Sequence, residues 1–308
     1  MSSRRRRDPR LSDFFRTRSP AMRNLLQTVE KVLDHDVPIL IRGESGSGKD
    51  YLAEAIHACS ARRGEPFVHV DCATIPADLF ESELFGYEKG TFTDAVARRL
   101  GRLELAKGGS VYLDHIDTLT PPLQAKLLRV LQDHQFTRLG GHQNIEFSAR
   151  VIVSTSSDLE AMLAAGGFRR DLFYRINVVT VVIPPLRERR DDILTLAKKF
   201  SAKRTIDDRA IAILTAHAWP GNVRELRNAI ERAVLTGDGT SITPESLPFS
   251  GPEFVVAAAR GRWTLDELEE NYIRAVLRET RSNYSRAADI LGINRKTLLE
   301  KRKKYGLD

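Results

Sequence analysis

The octapeptide GESGSGKD, Gly43 to Asp50, constrains the fold more than any other stretch of this chain. It follows the apolar run VPILIRG, opens the helical pattern KDYLAEAIHACSAR, and matches G-x-x-x-x-G-K apart from the final Ser or Thr. Gly43, Gly46 and Gly48 let the backbone turn successive N–H groups toward an anion. The amino end of the following helix adds partial positive charge. Lys49 supplies a point charge for the β- and γ-phosphates, so the whole loop, Glu44, Ser45, Ser47 and Asp50 included, reads as a nucleotide cradle.

Such a loop needs a strand before it and a helix after it, and the flanking sequence supplies both repeatedly. Between Val37 and Ile183 the Val/Ile-rich runs VPILIRG, PFVHVDC, GSVYLDHI, ARVIVSTS and NVVTVVI alternate with helical segments such as PADLFESELF and PPLQAKLLRVLQDH. Short apolar runs with few charges are strands buried on both faces of a parallel sheet. The alternation predicts an α/β fold, a doubly wound parallel five-stranded sheet. Asp114 ends the third run, where a downstream carboxylate contacts Mg²⁺ in phosphate-loop enzymes. Asp50 stands where a hydroxyl usually touches the ion and can hold it through water.

After Pro184-Pro185 the apolar spacing becomes helical, in DDILTLAKKF, DRAIAILTAH and NVRELRNAIERAVL. TGDGTSITPESLPFSGPEF is rich in turn formers and reads as a linker, and a last helical unit runs from Thr264 to Tyr305. Within it, Thr264 and Glu267 form a capping-box pattern, and Leu265, Leu268, Tyr272, Val276 and Leu277 give a helical face expected to pair with a second copy. SRAADILGINRKTLLEKRKKYG then reads as helix, tight turn at Gly292, helix. Packing of Ala287, Ala288, Leu291, Ile293 and Leu298 leaves Arg295, Lys296, Thr297, Lys301 and Arg302 facing outward, the first for base edges and the later cations for phosphate.

The net charge of +7 favours a polyanionic partner, and its excess lies at the two ends, RRRRDPR and RKTLLEKRKK. No apolar run is long enough to span a bilayer, and the amino end carries no secretory pattern. Cys59 and Cys72 fit no zinc or disulfide framework, so a reducing cytoplasm is the expected compartment.

Seven segments occur together in one order: GESGSGKD, ESELFGYEKGTFTDA, GGSVYLDHID, LQAKLLRVLQDHQFTRLGG, FRRDLFYRINV, PPLRERRDDI and WPGNVRELRNAIERA. With them the chain resembles the bacterial enhancer-binding proteins, AAA+ activators of sigma-54 RNA polymerase with a Fis-type helix-turn-helix. The resemblance runs from about Leu11 to Asp308. It implies a basic tail (1–15), an AAA+ α/β ATPase unit (16–185), a helical lid (186–240), a linker (241–261) and a DNA-binding unit (262–308). It further implies ATP and Mg²⁺ as cofactors and a self-assembled ring, up to a hexamer, with nucleotide between subunits. The partners it implies are double-stranded DNA at upstream sites and sigma-54 RNA polymerase. Arg169 and Arg175 match the arginines sent to a neighbour's phosphate, Thr155 the first sensor and Arg224 the lid's sensor. About 20 residues precede the ATPase unit, too few for a receiver domain. Control is therefore expected from a partner protein, from expression level or from the nucleotide cycle.

Three departures from the family pattern bear on function. His115 replaces the usual Glu after the magnesium aspartate. Asp71 replaces the Asn that holds that Glu, so Asp71 is expected to orient His115 as carboxylates orient catalytic histidines. GTFTDA replaces GAFTGA in the sigma-54 loop, keeping the contact pair Phe92 and Thr93 while Asp94 adds charge. Two further readings stand beside the activator: a DNA-binding regulator that uses ATP as a switch with weak hydrolysis, and a passive partner of a paralogue in mixed rings.

Overall fold

The computed structural model describes residues 9–93, 95–237, 239–248, 263–280 and 283–306. Two compact units divide the chain, Met1–Ile242 and Thr243–Asp308.

In the first unit the five apolar runs become β1 (Ile39–Arg42), β2 (Phe67–Asp71), β3 (Ser110–Asp114), β4 (Arg150–Thr155) and β5 (Val179–Val182). All pair in parallel, in the order β2-β3-β4-β1-β5. The strand period of two sorts their side chains. Leu40, Val111, Leu113, Val151 and Val153 enter one core, and Ile39, Ile41, Tyr112 and Ile152 the other. Helices α1 (Pro20–Glu30) and α2 (Lys49–Cys59) cover the second face. Helices α3 (Ala77–Phe85), α4 (Pro121–Asp133) and α5 (Arg170–Ile176) cover the first. Every residue of β3 and β4 is buried, which explains the apolar centres of both strands, with polar residues at their ends.

A lid of three helices follows: α6 (Ile193–Phe200), α7 (Asp208–Ala216) and α8 (Asn222–Thr236). Trp219 is fully buried there and donates its indole N–H to the Leu214 carbonyl. Two expected boundaries shift. Leu11 is buried in the second core, with Phe14 and Phe15 packed against it, so residues 9–15 are part of the fold rather than a solvated tail. Ser241–Ile242 pairs with Thr205–Ile206, which ties the first two linker residues to the lid. Most of the remaining linker, and residues 1–8, lie outside the described residues.

The second unit holds α9 (Leu265–Glu279), α10 (Tyr284–Leu291) and α11 (Arg295–Tyr305). The Thr264 hydroxyl accepts the Glu267 N–H at 3.2 Å and the Glu267 carboxylate accepts the Thr264 N–H at 2.7 Å, the reciprocal cap read from sequence. Gly292 ends α10 in the left-handed conformation. Ile273, Val276, Leu277, Ala287, Ala288 and Leu298 form the small core, with Leu291 and Ile293 against it.

Candidate nucleotide site

One asparagine and three arginines, Asn222, Arg187, Arg189 and Arg224, hold the phosphate loop, which joins β1 to α2. Gly46 has φ +73°, and a Cβ there would stand 2.4 Å from the Gly221 carbonyl oxygen. The close approach lets the Gly46 carbonyl accept hydrogen bonds from the Val223 and Arg224 N–H groups, at 2.9 and 3.3 Å. Arg224 also donates to the Ser45 hydroxyl at 3.0 Å. Asn222 donates to Glu44 and to the Ser45 carbonyl and accepts from the Leu186 N–H, while Arg187 makes a two-pronged ion pair with Glu44. Hydrogen bonds from Arg187 and Asn222 pull the Glu44 pKa down to about 2. Buried Arg189 donates to the Ser47 carbonyl at 2.7 Å.

Lys49 is buried, and its ammonium donates to the Gly43 and Glu44 carbonyls at 3.0 and 3.4 Å. Burial lowers its pKa, while Asp114 and Asp50 act the other way. The buried Ser47 hydroxyl has no hydrogen-bond partner among the described residues, as suits a loop shaped for an anion.

The carboxyl ends of the strands supply the acidic groups. Register places Asp71 directly beside Asp114 on adjacent parallel strands. His115 follows with φ +54°, an uncommon conformation for a side chain of this size. Its Nδ1 lies 3.1 Å from Asp71 Oδ1 and 3.3 Å from Asp114 Oδ2. Asp71 is fixed by the Ala73 N–H at 3.0 Å. Asp114 Oδ1 accepts the His115 N–H at 2.9 Å and the Ser154 hydroxyl. Burial alone would raise the Asp114 pKa, but Ser154, His115 and Lys49 hold it below the ordinary carboxylate value.

The two carboxylates expected to share magnesium are not adjacent. Asp50 accepts from the Tyr112 hydroxyl at 2.9 Å, and Tyr112 meets Ser154 at 2.9 Å, so two hydroxyls separate Asp50 from Asp114. Among the described residues, the His, Asp, Glu or Cys group that converges closely enough to hold an ion is Asp71, Asp114 and His115. Asp50 is short and committed to Tyr112, which keeps it out of that group. The hard oxygens of Asp114 still suit Mg²⁺.

Thr155 is fully buried and donates to Asp117 at 2.6 Å. Arg169 is exposed and ion-paired with Asp171 at 2.7 Å, and Arg175 donates to the Leu131 carbonyl. Neither meets the phosphate loop of its own chain among the described residues. Arg169, Arg170, Asp171 and Tyr174 line a shallow surface depression. Phe92 is exposed yet rests on Tyr87, ring centroids 4.8 Å apart, and Thr93 is exposed beside it. Asp94 lies outside the described residues.

In the second unit Arg295 and Lys296 face outward as expected. Three other residues of that set do not. Thr297 bonds back to the cap Asn294, Lys301 is ion-paired with Glu269 at 2.6 Å, and Arg302 lies over the Tyr284 ring. Acidic α9 packs against α11, and its Glu269 draws Lys301 inward.

Tyr112, Ser154, Asp117, Arg187, Arg189 and Asn222 take part in this network without belonging to the site residues expected from the sequence. Some signal was present: Arg187, Arg189 and Asn222 sit inside PPLRERRDDI and WPGNVREL, and Tyr112 is a phenol in an aliphatic strand.

A glycine-rich loop gripped by a helical lid, with acidic strand ends beside it on a β2-β3-β4-β1-β5 sheet, defines an ATPase of the AAA+ class. Comparison with known proteins narrows the class. Residues 15–182 match the sigma-54 interaction domain, residues 187–254 an AAA+ ATPase lid domain, and residues 264–305 the Fis family of bacterial regulatory proteins. The chain belongs to the sigma-54-dependent family of transcriptional regulators. It is 44% identical to the regulatory protein AtoC of Escherichia coli (strain K12), covering 95% of this chain and 68% of AtoC. It is 42% identical to the alginate biosynthesis regulator AlgB of Pseudomonas aeruginosa, covering 97% of this chain and 69% of AlgB. The crystal structure of NtrX from Brucella abortus in complex with ATP is similar at 39% identity and a TM-score of 0.69, covering 95% of this chain and 69% of NtrX. The chain thus spans about two thirds of the length of these relatives. Among the described residues no helix is long and apolar enough to cross a membrane.

Proposed function

We propose that this chain is a ring-forming, ATP-driven activator that binds upstream DNA and remodels sigma-54 RNA polymerase. The observation that carries the reading is the meeting of Asp71, Asp114 and His115 at the strand ends of a phosphate-loop domain.

The phosphate loop from Gly43 to Asp50 holds the nucleotide, with Lys49 moving from loop carbonyls to phosphate oxygens and Arg224 sensing the nucleotide from the lid. Asp114 is the principal residue for Mg²⁺, which when bound neutralises phosphate charge; Asp50 acts through water. Asp71 holds His115, and His115 takes the proton of the attacking water. General-base help of this kind contributes about 10²–10⁴ in rate. Arg169 and Arg175 serve a neighbouring subunit's nucleotide, where a guanidinium stabilises phosphoryl charge. Thr155 acts through its bond to Asp117. The Phe92–Thr93 loop touches sigma-54, and Arg295 and Lys296 read DNA, with a second copy of the chain across α9.

A second reading, a nucleotide-gated switch or passive ring partner with weak hydrolysis, draws on one feature. His115 Nδ1 is engaged by carboxylates on both sides. Steady-state ATP hydrolysis across protein concentration separates the two, with His115→Ala and His115→Glu beside the parent. Turnover that rises steeply with concentration and is silenced in His115→Ala supports the motor. ATP binding without turnover, restored by His115→Glu, supports the switch.

A further inference from the structure

His115 does more than replace one base by another: it puts a nitrogen donor between two carboxylates. We propose that Asp71, Asp114 and His115 form a binding site for a borderline divalent transition ion such as Zn²⁺ or Co²⁺, distinct in chemistry from the magnesium contact. The nucleotide reading is not required for it, because the three donors converge without a nucleotide.

The geometry is that of a ligand set. All three donor atoms lie within 4.8 Å of one another. Nδ1 is 3.1 Å from Asp71 Oδ1 and 3.3 Å from Asp114 Oδ2. With metal–donor bonds of about 2.1 Å, those separations correspond to angles at the ion of about 95° and 104°, between octahedral and tetrahedral values. The donors are also held in place from behind. Asp71 is fixed by the Ala73 N–H, and Asp114 Oδ1 is taken by the His115 N–H and Ser154, leaving Oδ2 toward the imidazole. Outer contacts of this kind orient metal ligands. The side chains of His115 and Asp71 are 31% and 29% exposed, so an ion has a way in and open positions for water.

The nitrogen decides which ion. Mg²⁺ prefers oxygen donors and keeps its waters, whereas imidazole suits zinc, cobalt and nickel. On binding, the ion takes the Nδ1 lone pair and the neutral ring keeps its single proton on Nε2. An ion there occupies Asp114 and removes the imidazole from the water, so it inhibits hydrolysis. A glutamate at position 115 would offer oxygens alone and weaken this competition.

The test is titration of the nucleotide-free full chain with Co²⁺, read by its visible absorption. The parent is expected to develop a saturable band at one ion per chain. His115→Ala and Asp71→Asn are expected to weaken the affinity about tenfold to hundredfold. His115→Asn serves as a second variant should His115→Ala misfold by circular dichroism. Replacing Cys59 and Cys72 by serine should leave the band in place. No saturable band, a band unchanged in the His115 variants, or a band lost only with the cysteines would overturn the proposal. Because no ATP is present, the result is separable from whether His115 acts as a base.

Discussion

Oδ1 of Asp71 lies 3.1 Å from Nδ1 of His115, across the ends of two parallel strands whose register sets Asp71 beside Asp114. The contact joins the two residues that the sequence reading singled out together, a carboxylate and an imidazole, at the strand ends.

If that contact orients the base, Asp71→Asn lowers ATP turnover at least tenfold, part of the roughly 10²–10⁴ that base assistance supplies. Nucleotide affinity should change little, since Asp71 does not touch the phosphate loop among the described residues. Single-turnover rates beside equilibrium nucleotide binding check this. Unchanged turnover would remove Asp71 from the mechanism.

The lid reaches the loop through Gly46, and a methyl group there tests how much depends on the contact. In Gly46→Ala the Cβ would stand 2.4 Å from the Gly221 carbonyl, in a conformation with φ +73°. Strain at such a position costs about 1–3 kcal/mol, and relief requires the lid to move off the loop. Denaturant unfolding is expected to show the destabilisation, and nucleotide binding should weaken with it. A variant of parental stability would mean the lid already moves freely.

The ion pair of Glu44 with Arg187, supported by Asn222, gives a pH dependence of definite sign. The folded-state pKa of Glu44, about 2, lies below its ordinary value of 4.5. The carboxylate therefore stabilises the folded state above pH 4.5, and the contribution fades as pH falls toward 2. Both groups are well exposed, so the effect is small. Parent and Glu44→Gln should differ in unfolding midpoint at pH 6 and converge as pH falls from 4.5 toward 2. A gap that widens on acidification would contradict the assignment.

Sheet, lid and helix-turn-helix were legible because each rests on local periodicity: the centres of β3 and β4 are apolar, and α9 carries its own cap. The Asp71–His115 contact was legible because the resemblance implies that the residues at those two places meet, and they do. What escaped depends on contacts far apart in sequence. Tyr112 bridges Asp50 and Ser154 across 62 and 42 residues, and Asn222 reaches back 178 residues to Glu44. Helical periodicity gave the exposed face of α11 but not the acidic face of α9 that draws in Lys301.

That difference between cations on one helix leads to the last prediction. Arg295 and Lys296 are exposed at the amino end of α11, whereas Lys301 is spent on Glu269 and Arg302 covers Tyr284. Arg295→Ala should therefore weaken binding to the specific site by about 1–3 kcal/mol and flatten the preference among sequences. Lys301→Ala should act mainly on stability, by up to about 1 kcal/mol, and leave sequence preference intact. Binding to specific and scrambled duplexes over a range of salt, beside thermal unfolding, separates the two effects. If Lys301→Ala reduces the salt dependence of binding as much as Arg295→Ala does, Lys301 leaves Glu269 for a phosphate in the complex, and the division drawn along α11 fails.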